Sequence, residues 1–305
     1  LKTTGETQTV RRLRSELEGL RALEAVQRAR IAELEDELRL AASLQSNLRS
    51  ETPPVDGVAI HTLSCPADVV SGDMLDVVRL NESEVAITLL DATGHGLAAG
   101  ILAAYVKRSL DGASLMRDTN GAPAPSEVLS GLNQHLLDLQ LDECEFVTAT
   151  YLVYNERNRV IRWARAGAPY PILLRPGEDS RVLPSAGPLL GVLPDAEFEV
   201  VELQLERTDT VVLHTDGLDA LVSGGRHVPG ESRLSSNDVL YVDRGSGFRE
   251  FWEEFRGFVN ASAHGRGVGD DVTVVALHVD DDVPATDDSG AQPTAAADLP
   301  NTAPV

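Results

Sequence analysis

Four aspartates in this chain stand where a short apolar run meets glycine or another acid, and that placement limits what the chain can fold into. Ser71-Gly72-Asp73 comes first, and the run 85–90 then leads into Asp91-Ala92-Thr93-Gly94-His95-Gly96. Asp216 closes the run 210–215, and Asp270-Asp271 opens the run 272–277. Short runs rich in β-branched residues read as strands, so the fold has to gather strand ends that are far apart in sequence. A lone Asp-Gly is ordinarily a turn. Four acids beside strands form a pattern with a chemical use: hard divalent cations take oxygen ligands held on a rigid frame. Glycine beside an acid lets backbone and ion approach closely, and the main-chain carbonyl of Ala92 adds an oxygen donor next to Asp91.

The pattern divides the 305 residues into three regions. Residues 1–52 are expected to be an N-terminal signalling helix. From about 8 to 50 there is no proline, and Val10, Leu13, Leu17 and Leu20, then Ile31, Leu34 and Leu38, follow alternating steps of three and four, with Leu44 and Leu48 beyond. That is a heptad seam, the mark of a coiled coil that pairs two copies. Glu24 and Gln27 interrupt it, so the coil shifts register there. The other reading is an exposed helix packed on its own domain. Residues 53–280 carry the pattern of one α+β domain. Strands are expected at 57–62, 85–91, 146–154, 159–166, 171–175, 199–205, 210–215 and 273–279, with 155–158 as a hairpin loop. Helices are expected at 97–110, apolar nearly all round and so buried, with Lys107 and Arg108 near its end, and at 126–139. Phe248, Phe251, Trp252, Phe255, Phe258 and Val259 make a helical stripe that reads as core. Strands in succession with few helices argue against a doubly wound parallel sheet. Residues 281–305, acidic and rich in Pro, Ala and Thr, read as a disordered tail.

Acidic residues exceed basic ones by 22, which argues against an electrostatic grip on nucleic acid or an anionic membrane. Cys65 and Cys144 make no C-x-x-C, so no disulfide framework is expected and a reducing, cytoplasmic setting is. No apolar run reaches the roughly 18 residues of a membrane span, and no signal peptide is visible. The chain begins with Leu1 rather than Met, which suggests a piece of a longer protein.

Few other residues suggest a reaction. Neither cysteine has a basic loop to stabilise a thiolate, and neither G-x-S-x-G nor a Gly-x4-Gly-Lys phosphate loop is present. A water activated between two divalent ions, roughly 4 Å apart, is the remaining nucleophile. The ions would also neutralise phosphoryl oxygens in the transition state.

The motifs S-G-D-M-L-D, D-A-T-G-H-G, H-T-D-G and D-D-V-T occur in the order found in PPM-type (protein phosphatase 2C-like) serine/threonine phosphatases. The chain resembles the bacterial branch of stage II sporulation protein E and sigma-factor regulators. A-S-L-Q-S-N-L before Pro53-Pro54, A-G-A-P-Y-P-I-L-L-R at 166–175 and P-L-L-G-V-L-P at 188–194 add to the likeness. The resemblance implies a β-sandwich flanked by helices that uses two ions, Mn2+ or Mg2+. Their ligands would be Asp73, Asp91 as the bridge, Ala92 through its carbonyl, Asp216 and Asp270, with Asp91 and Asp216 catalytic through the activated water. It implies a phosphorylated anti-anti-sigma-factor protein as substrate. The chain departs from the family at Ala168, where histidine is common, and at Asp219-Ala220-Leu221, where T-E-A is; neither is an expected ligand. His95 is expected to hold the loop after Asp91 or to act as general acid, His214 to be a core residue, and Asp76 to support the site or to sit in a solvated turn. The expected protein is a metal-dependent phosphoserine/phosphothreonine phosphatase, dimeric through its first helix. Movement of the coil would shift helix 97–110 and with it the Asp91 loop. The principal alternatives are a non-catalytic phosphatase-like binding module, a coiled-coil assembly protein and a hydrolase of small phosphoesters.

Overall fold

The computed structural model describes residues 2–115, 122–140, 145–223, 247–266 and 269–280. The expected tail at 281–305 and Cys144 lie outside them. A long helix α1 (Lys2–Ser46) leads into β1 (Val58–Cys65), β2 (Asp73–Arg79) and β3 (Glu84–Ala92). Helices α2 (Leu97–Leu115) and α3 (Pro125–Asp138) follow, and then β4 (Val147–Asn155), β5 (Val160–Ala166), β6 (Ile172–Leu174), β7 (Arg181–Val182), β8 (Val201–Gln204) and β9 (Thr210–His214). Helices α4 (Asp216–Ser223) and α5 (Phe248–Arg266) precede the last strand, β10 (Val272–Val279). Strands pair antiparallel into two five-stranded sheets, ordered β1-β10-β9-β6-β7 and β2-β3-β4-β5-β8.

Period-2 alternation sorts the side chains into layers. From the second sheet Leu75, Val77, Ile87, Leu89, Leu152 and Trp163 face inward and meet Val211, Leu213, Val275 and Leu277 of the first. The opposite face of the second sheet, with Met74, Leu90, Ala149 and Ala164, is covered by Ala103 and Val106 of α2 and by Leu129 and Leu132 of α3. The outer face of the first sheet, with Ile172, Val212, Val274 and Ala276, is covered by Leu218 of α4 and by Phe251, Trp252, Phe255 and Val259 of α5. The result is a β-sandwich with a helical layer on each side. Helix α3 shows how local sequence starts an element. Pro125 takes the first helical position, where its missing N–H costs nothing, and Glu127 accepts the N–H of Ala124 at 3.0 Å. Val128, Leu129, Leu132 and Leu136 then fall on one buried stripe.

Four readings of the sequence are corrected here. Strands β2 and β7 and helix α4 were not anticipated. Helix α2 is not buried all round: Leu97, Ile101 and Tyr105, four residues apart, form an exposed apolar line while Ala99, Ala103 and Val106 face the sheet. Uniformly apolar composition had hidden which face turns inward. Lys107 is not a terminal cation, because α2 runs on to Leu115. Phe258 is 41% exposed, one position off the buried stripe ending at Val259. The hairpin loop at 155–158 joins β4 to β5 as expected.

Helix α1 is largely exposed, and its apolar seam residues Leu13, Leu17, Leu20, Ile31 and Leu34 are exposed among the described residues. Its last turn is anchored by Gln45. The amide Nε2 donates to the carbonyl of Ser71 at 2.6 Å and to that of Gly100 at 3.4 Å, and Oε1 accepts the Ser71 N–H at 3.2 Å. Among the described residues no helix is long and apolar enough to cross a membrane.

Candidate metal centre

The antiparallel register of β2 and β3 sets Asp73 directly opposite Asp91. Like charges opposite one another on a sheet repel, so this pairing is costly unless something offsets it. Asp216 opens α4 straight after β9, and Asp270 and Asp271 precede β10. Because β9 and β10 are antiparallel neighbours, the end of one and the start of the other lie at the same end of the sandwich. Five aspartates therefore arrive together from both sheets.

Two of them hold the frame. Asp271 accepts the N–H of Ala67 on Oδ1 and that of Gly72 on Oδ2, both at 2.7 Å. Both of its oxygens are thus engaged with backbone of the connection that leads from β1 into Asp73. Thr215 Oγ1 donates to Asp73 Oδ2 at 2.9 Å and accepts the Thr273 N–H at 3.0 Å, tying β2 to β9 and β10. Asp270 caps the N–H of Asp271 with one oxygen at 2.9 Å. Asp73 is 1% exposed, and its Oδ1 has no hydrogen-bond partner.

Glycines allow these approaches. A Cβ on Gly217 would stand 2.0 Å from the carbonyl of Asp271, so no side chain fits where α4 begins. A Cβ on Gly72 would stand 2.9 Å from the carbonyl oxygen of Ala92, which itself receives support when its N–H donates to the Gly72 carbonyl at 3.2 Å. The loop after Ala92 is pinned to the start of β4. Thr93 N–H donates to the Phe146 carbonyl at 3.0 Å, and Phe146 N–H donates to Thr93 Oγ1 at 2.8 Å.

The field at this end is strongly negative. Burial, with smaller repulsion from Asp271 and Asp270, lifts Asp73 to about 7 against the pull of the Thr273 and Thr215 hydroxyls. Burial first, and then Asp73, Asp216, Asp270 and Asp271, hold the Asp91 carboxyl well above its ordinary range. Asp270 is raised by burial and by Asp216. These mutual influences place Asp73, Asp91, Asp216, Asp270 and Asp271 in one electrostatic neighbourhood. Among the described residues, no three His, Cys, Asp or Glu side chains already stand in positions that would hold an ion. Even so, the donor set fits a hard divalent cation: it is all oxygen, one buried carboxylate oxygen is orphaned, and the Ala92 carbonyl lies in a cradle that a Cβ would obstruct.

The remaining candidates fall elsewhere. The His95 side chain is 78% exposed, its Nδ1 3.8 Å from Asp68 Oδ2, and it is close enough to Asp270 to stabilise that carboxylate. His214 is buried in β9 with Nδ1 3.0 Å from the Thr215 carbonyl oxygen. Burial pushes the Cys65 thiol up, the wrong direction for a nucleophile. Asp76 occupies no solvated turn. It is buried against Lys107 of α2 at 3.0 Å and accepts the Ser50 N–H at 3.1 Å. Asp271 and Thr215 were not recognised as the residues that brace the site. The doubled acid of D-D-V-T was the available signal for the first, and a strand-end threonine gives none.

A model of the family described as stage II sporulation protein E matches residues 81–280, a span that contains Asp91, Asp216 and Asp270. The phosphoserine phosphatase RsbU of Bacillus subtilis is 29% identical over 189 residues, which make up 61% of this chain and 54% of that one. The phosphoserine phosphatase RsbP of the same organism is 28% identical over 185 residues, 60% of this chain and 45% of that one. The chain thus spans about half the length of these curated relatives, 54% and 45%. Among solved structures, the SiaA-PP2C domain of Pseudomonas aeruginosa matches with a TM-score of 0.65 at 23% identity, covering 82% of this chain and 98% of that one. That likeness establishes the fold, a PP2C-type sandwich.

Proposed function

The chain belongs to the stage II sporulation protein E family, and on that premise we propose that it is a metal-dependent phosphatase of phosphoserine and phosphothreonine in proteins. What supports the reading is the meeting of Asp73, Asp91, Asp216 and Asp270 at one end of the sandwich with a buried carboxylate oxygen left unpartnered. Residues Asp73, Asp91, Asp216 and Asp270 and the Ala92 carbonyl would hold two ions, Mn2+ or Mg2+. Bound there, divalent cations supply Lewis acidity toward a phosphoryl group and toward water.

The chain's own part is positioning. Asp271 and Thr215 fix the strand that bears Asp73, and the Thr93–Phe146 contacts fix the loop that bears Asp91. The reaction is hydrolysis. Water adds to phosphorus, the bond from phosphorus to the serine oxygen breaks, and that oxygen leaves with a proton. In this reading water rather than a side chain is the nucleophile, and no phosphoenzyme forms.

The substrate we propose is a phosphorylated anti-anti-sigma-factor protein, as the resemblance to the sigma-factor-regulator branch implies, in a cytoplasmic setting. We further assign residues 53–280 as the catalytic unit and residues 1–52 as a signalling helix that pairs two copies. The exposed seam from Leu13 to Leu34 supports pairing, and the grip of Gln45 on Ser71 and Gly100 supports transmission to α2. The test is phosphate release from a phosphoserine protein with and without Mn2+. Release that needs the metal and is lost in Asp216→Asn supports the reading; release that survives Asp216→Asn defeats it.

A further inference from the structure

Of the six partly buried arginines among the described residues, three are paired with acids and three, Arg49, Arg159 and Arg165, are not. Arg79 is paired with Glu156, Arg162 with Glu84, and Arg175 with Asp209 and Glu206. Arg165 is partly buried yet has no carboxylate partner among the described residues. Its guanidinium is held instead by neutral groups. Nε donates to the Ser185 carbonyl at 3.1 Å, Nη1 donates to the Ala168 carbonyl at 2.6 Å, and the group lies 4.3 Å from the centre of the Tyr170 ring. These contacts engage two of its five N–H donors and fix the fork in place. Burial without a counter-ion disfavours a cation, and its pKa is lowered by that burial. Of the three arginines without an acid, Arg165 is the one whose guanidinium is held by two carbonyls and a ring.

Its place in the fold gives the held cation a use. Trp163 and Ile161 face the space between the sheets, so alternation along β5 turns Arg165 to the same face. It pairs with Thr150, Thr150 pairs with Leu89, and Leu89 lies two residues before Asp91 on β3. Two strand spacings and two residue rises put its Cα about 12 Å from that of Asp91. Arg165 is therefore at the carboxylate end of the sandwich, but across the mouth from the acids. The segment that holds it, through Ala168, is also where the chain departs from the family pattern.

We propose that Arg165 binds an acidic side chain of the phosphoprotein substrate, two or three residues from the phosphoserine. An arginine fork matches a carboxylate, and two or three residues of extended chain at roughly 3.4 Å each, with the arginine's own length, span the gap. The proposal rests on the phosphoprotein reading above. It also makes a demand that net charge cannot satisfy: the overall field repels an acidic peptide, so a preference for one has to be local.

The test is direct binding, which needs no turnover. Two fluorescent thiophosphoserine peptides are titrated with the full chain in Mn2+ at physiological salt, one with Asp and Glu flanking the phosphoserine and one with Asn and Gln. Wild type is expected to bind the acidic peptide about tenfold tighter. Arg165→Met is expected to keep the affinity for the neutral peptide and to lose the preference, with Arg165→Lys in between. The proposal is overturned if wild type binds neither peptide or shows no preference, if Arg165→Met keeps the preference, or if it weakens both peptides alike, which is the mark of a staple on Ser185 and Ala168. Phosphate release from the ordinary phosphoserine peptides, measured alongside, judges the catalytic reading separately. Selective binding without release would sink that reading and leave this one standing.

Discussion

The two ends of the sandwich treat charge in opposite ways. At the end remote from the candidate centre, partly buried acids are matched to arginines: Glu156 with Arg79, Glu84 with Arg162, and the wholly buried Asp209 with Arg175 through two hydrogen bonds of 2.8 and 2.9 Å. At the other end Asp73, Asp91 and Asp270 face one another, with no strong cation among the causes that set their ionisation. The shifts follow. Arg79 holds Glu156 below the ordinary carboxylate range, whereas burial and like charge lift Asp73 to about 7. One end is neutralised by the chain's own arginines, and the other crowds its acids with no strong cation beside them among the described residues.

The strongest attempt to break this contrast is to remove a charge from each end. Asp91→Asn is expected to lower Mn2+-dependent phosphate release by more than about 100-fold, beyond what an indirect partner of a metal ligand produces, with no loss of thermal stability in the metal-free chain. Arg175→Ala should do the reverse. It strands buried Asp209 and is expected to cost about 3 kcal/mol in urea unfolding, at the low end for a broken buried pair because Arg175 is partly solvated, while phosphate release per folded molecule is unchanged. Equal effects of the two variants on both readouts would erase the distinction between the ends.

Metal should convert one end into the likeness of the other. A cation at 100 times its dissociation constant adds about 2.7 kcal/mol of stability, read as a rise in Tm that Asp91→Asn abolishes. The effect carries a pH signature. Asp73 has a folded pKa raised to about 7 from an ordinary value of 3.8, so its contribution is fully present below that ordinary value and is lost as pH rises toward about 7. The metal-free chain should therefore be less stable at pH 8 than at pH 5, and Mn2+ should narrow the difference; a flat profile without metal would count against the crowding of acids.

The smallest effect belongs to the paired end. Glu156 has its folded pKa lowered from 4.5, first by the hydrogen bond from Arg79. Its contribution is present above 4.5 and is lost as pH falls through the lowered value. Glu156→Gln should cost about 1 kcal/mol at pH 7, as expected of a pair near the surface, and nothing once the glutamate is protonated in both states. Urea unfolding at the two pH values gives the answer.

The sandwich was legible wherever side chains announce themselves locally. The runs at 85–91, 146–154 and 210–215 are β-branched and apolar, and they form β3, β4 and β9 with shifts of a residue or two at their ends. The aspartates at their ends were visible for the same reason. Strand β2 was not, because Asp73-Met74-Leu75-Asp76 carries two acids and its pairing with β3 depends on a partner strand. The bracing of the site was hidden by distance. Asp271 reaches Gly72 across 199 residues, and Thr215 reaches Asp73 across 142; no local pattern records which amide a carboxylate will meet. The exposed face of α2 was hidden differently, since a helix apolar on every side does not reveal which side the sheet will take.

Asp73 and Asp76 belong to the same strand, yet one faces the cleft and the other faces Lys107 behind the sheet. Their separation is odd, so the pleat sends them to opposite sides. Parity, more than identity, decides which acid joins the candidate centre and which braces the sheet against α2. A single residue gained or lost in the turn between β2 and β3 would drive Asp73 in among the helices and turn Asp76 into the core between the sheets, well short of Asp91, so neither acid would reach the candidate centre. The length of that turn therefore matters to the candidate centre although the turn lies at the opposite end of the strand.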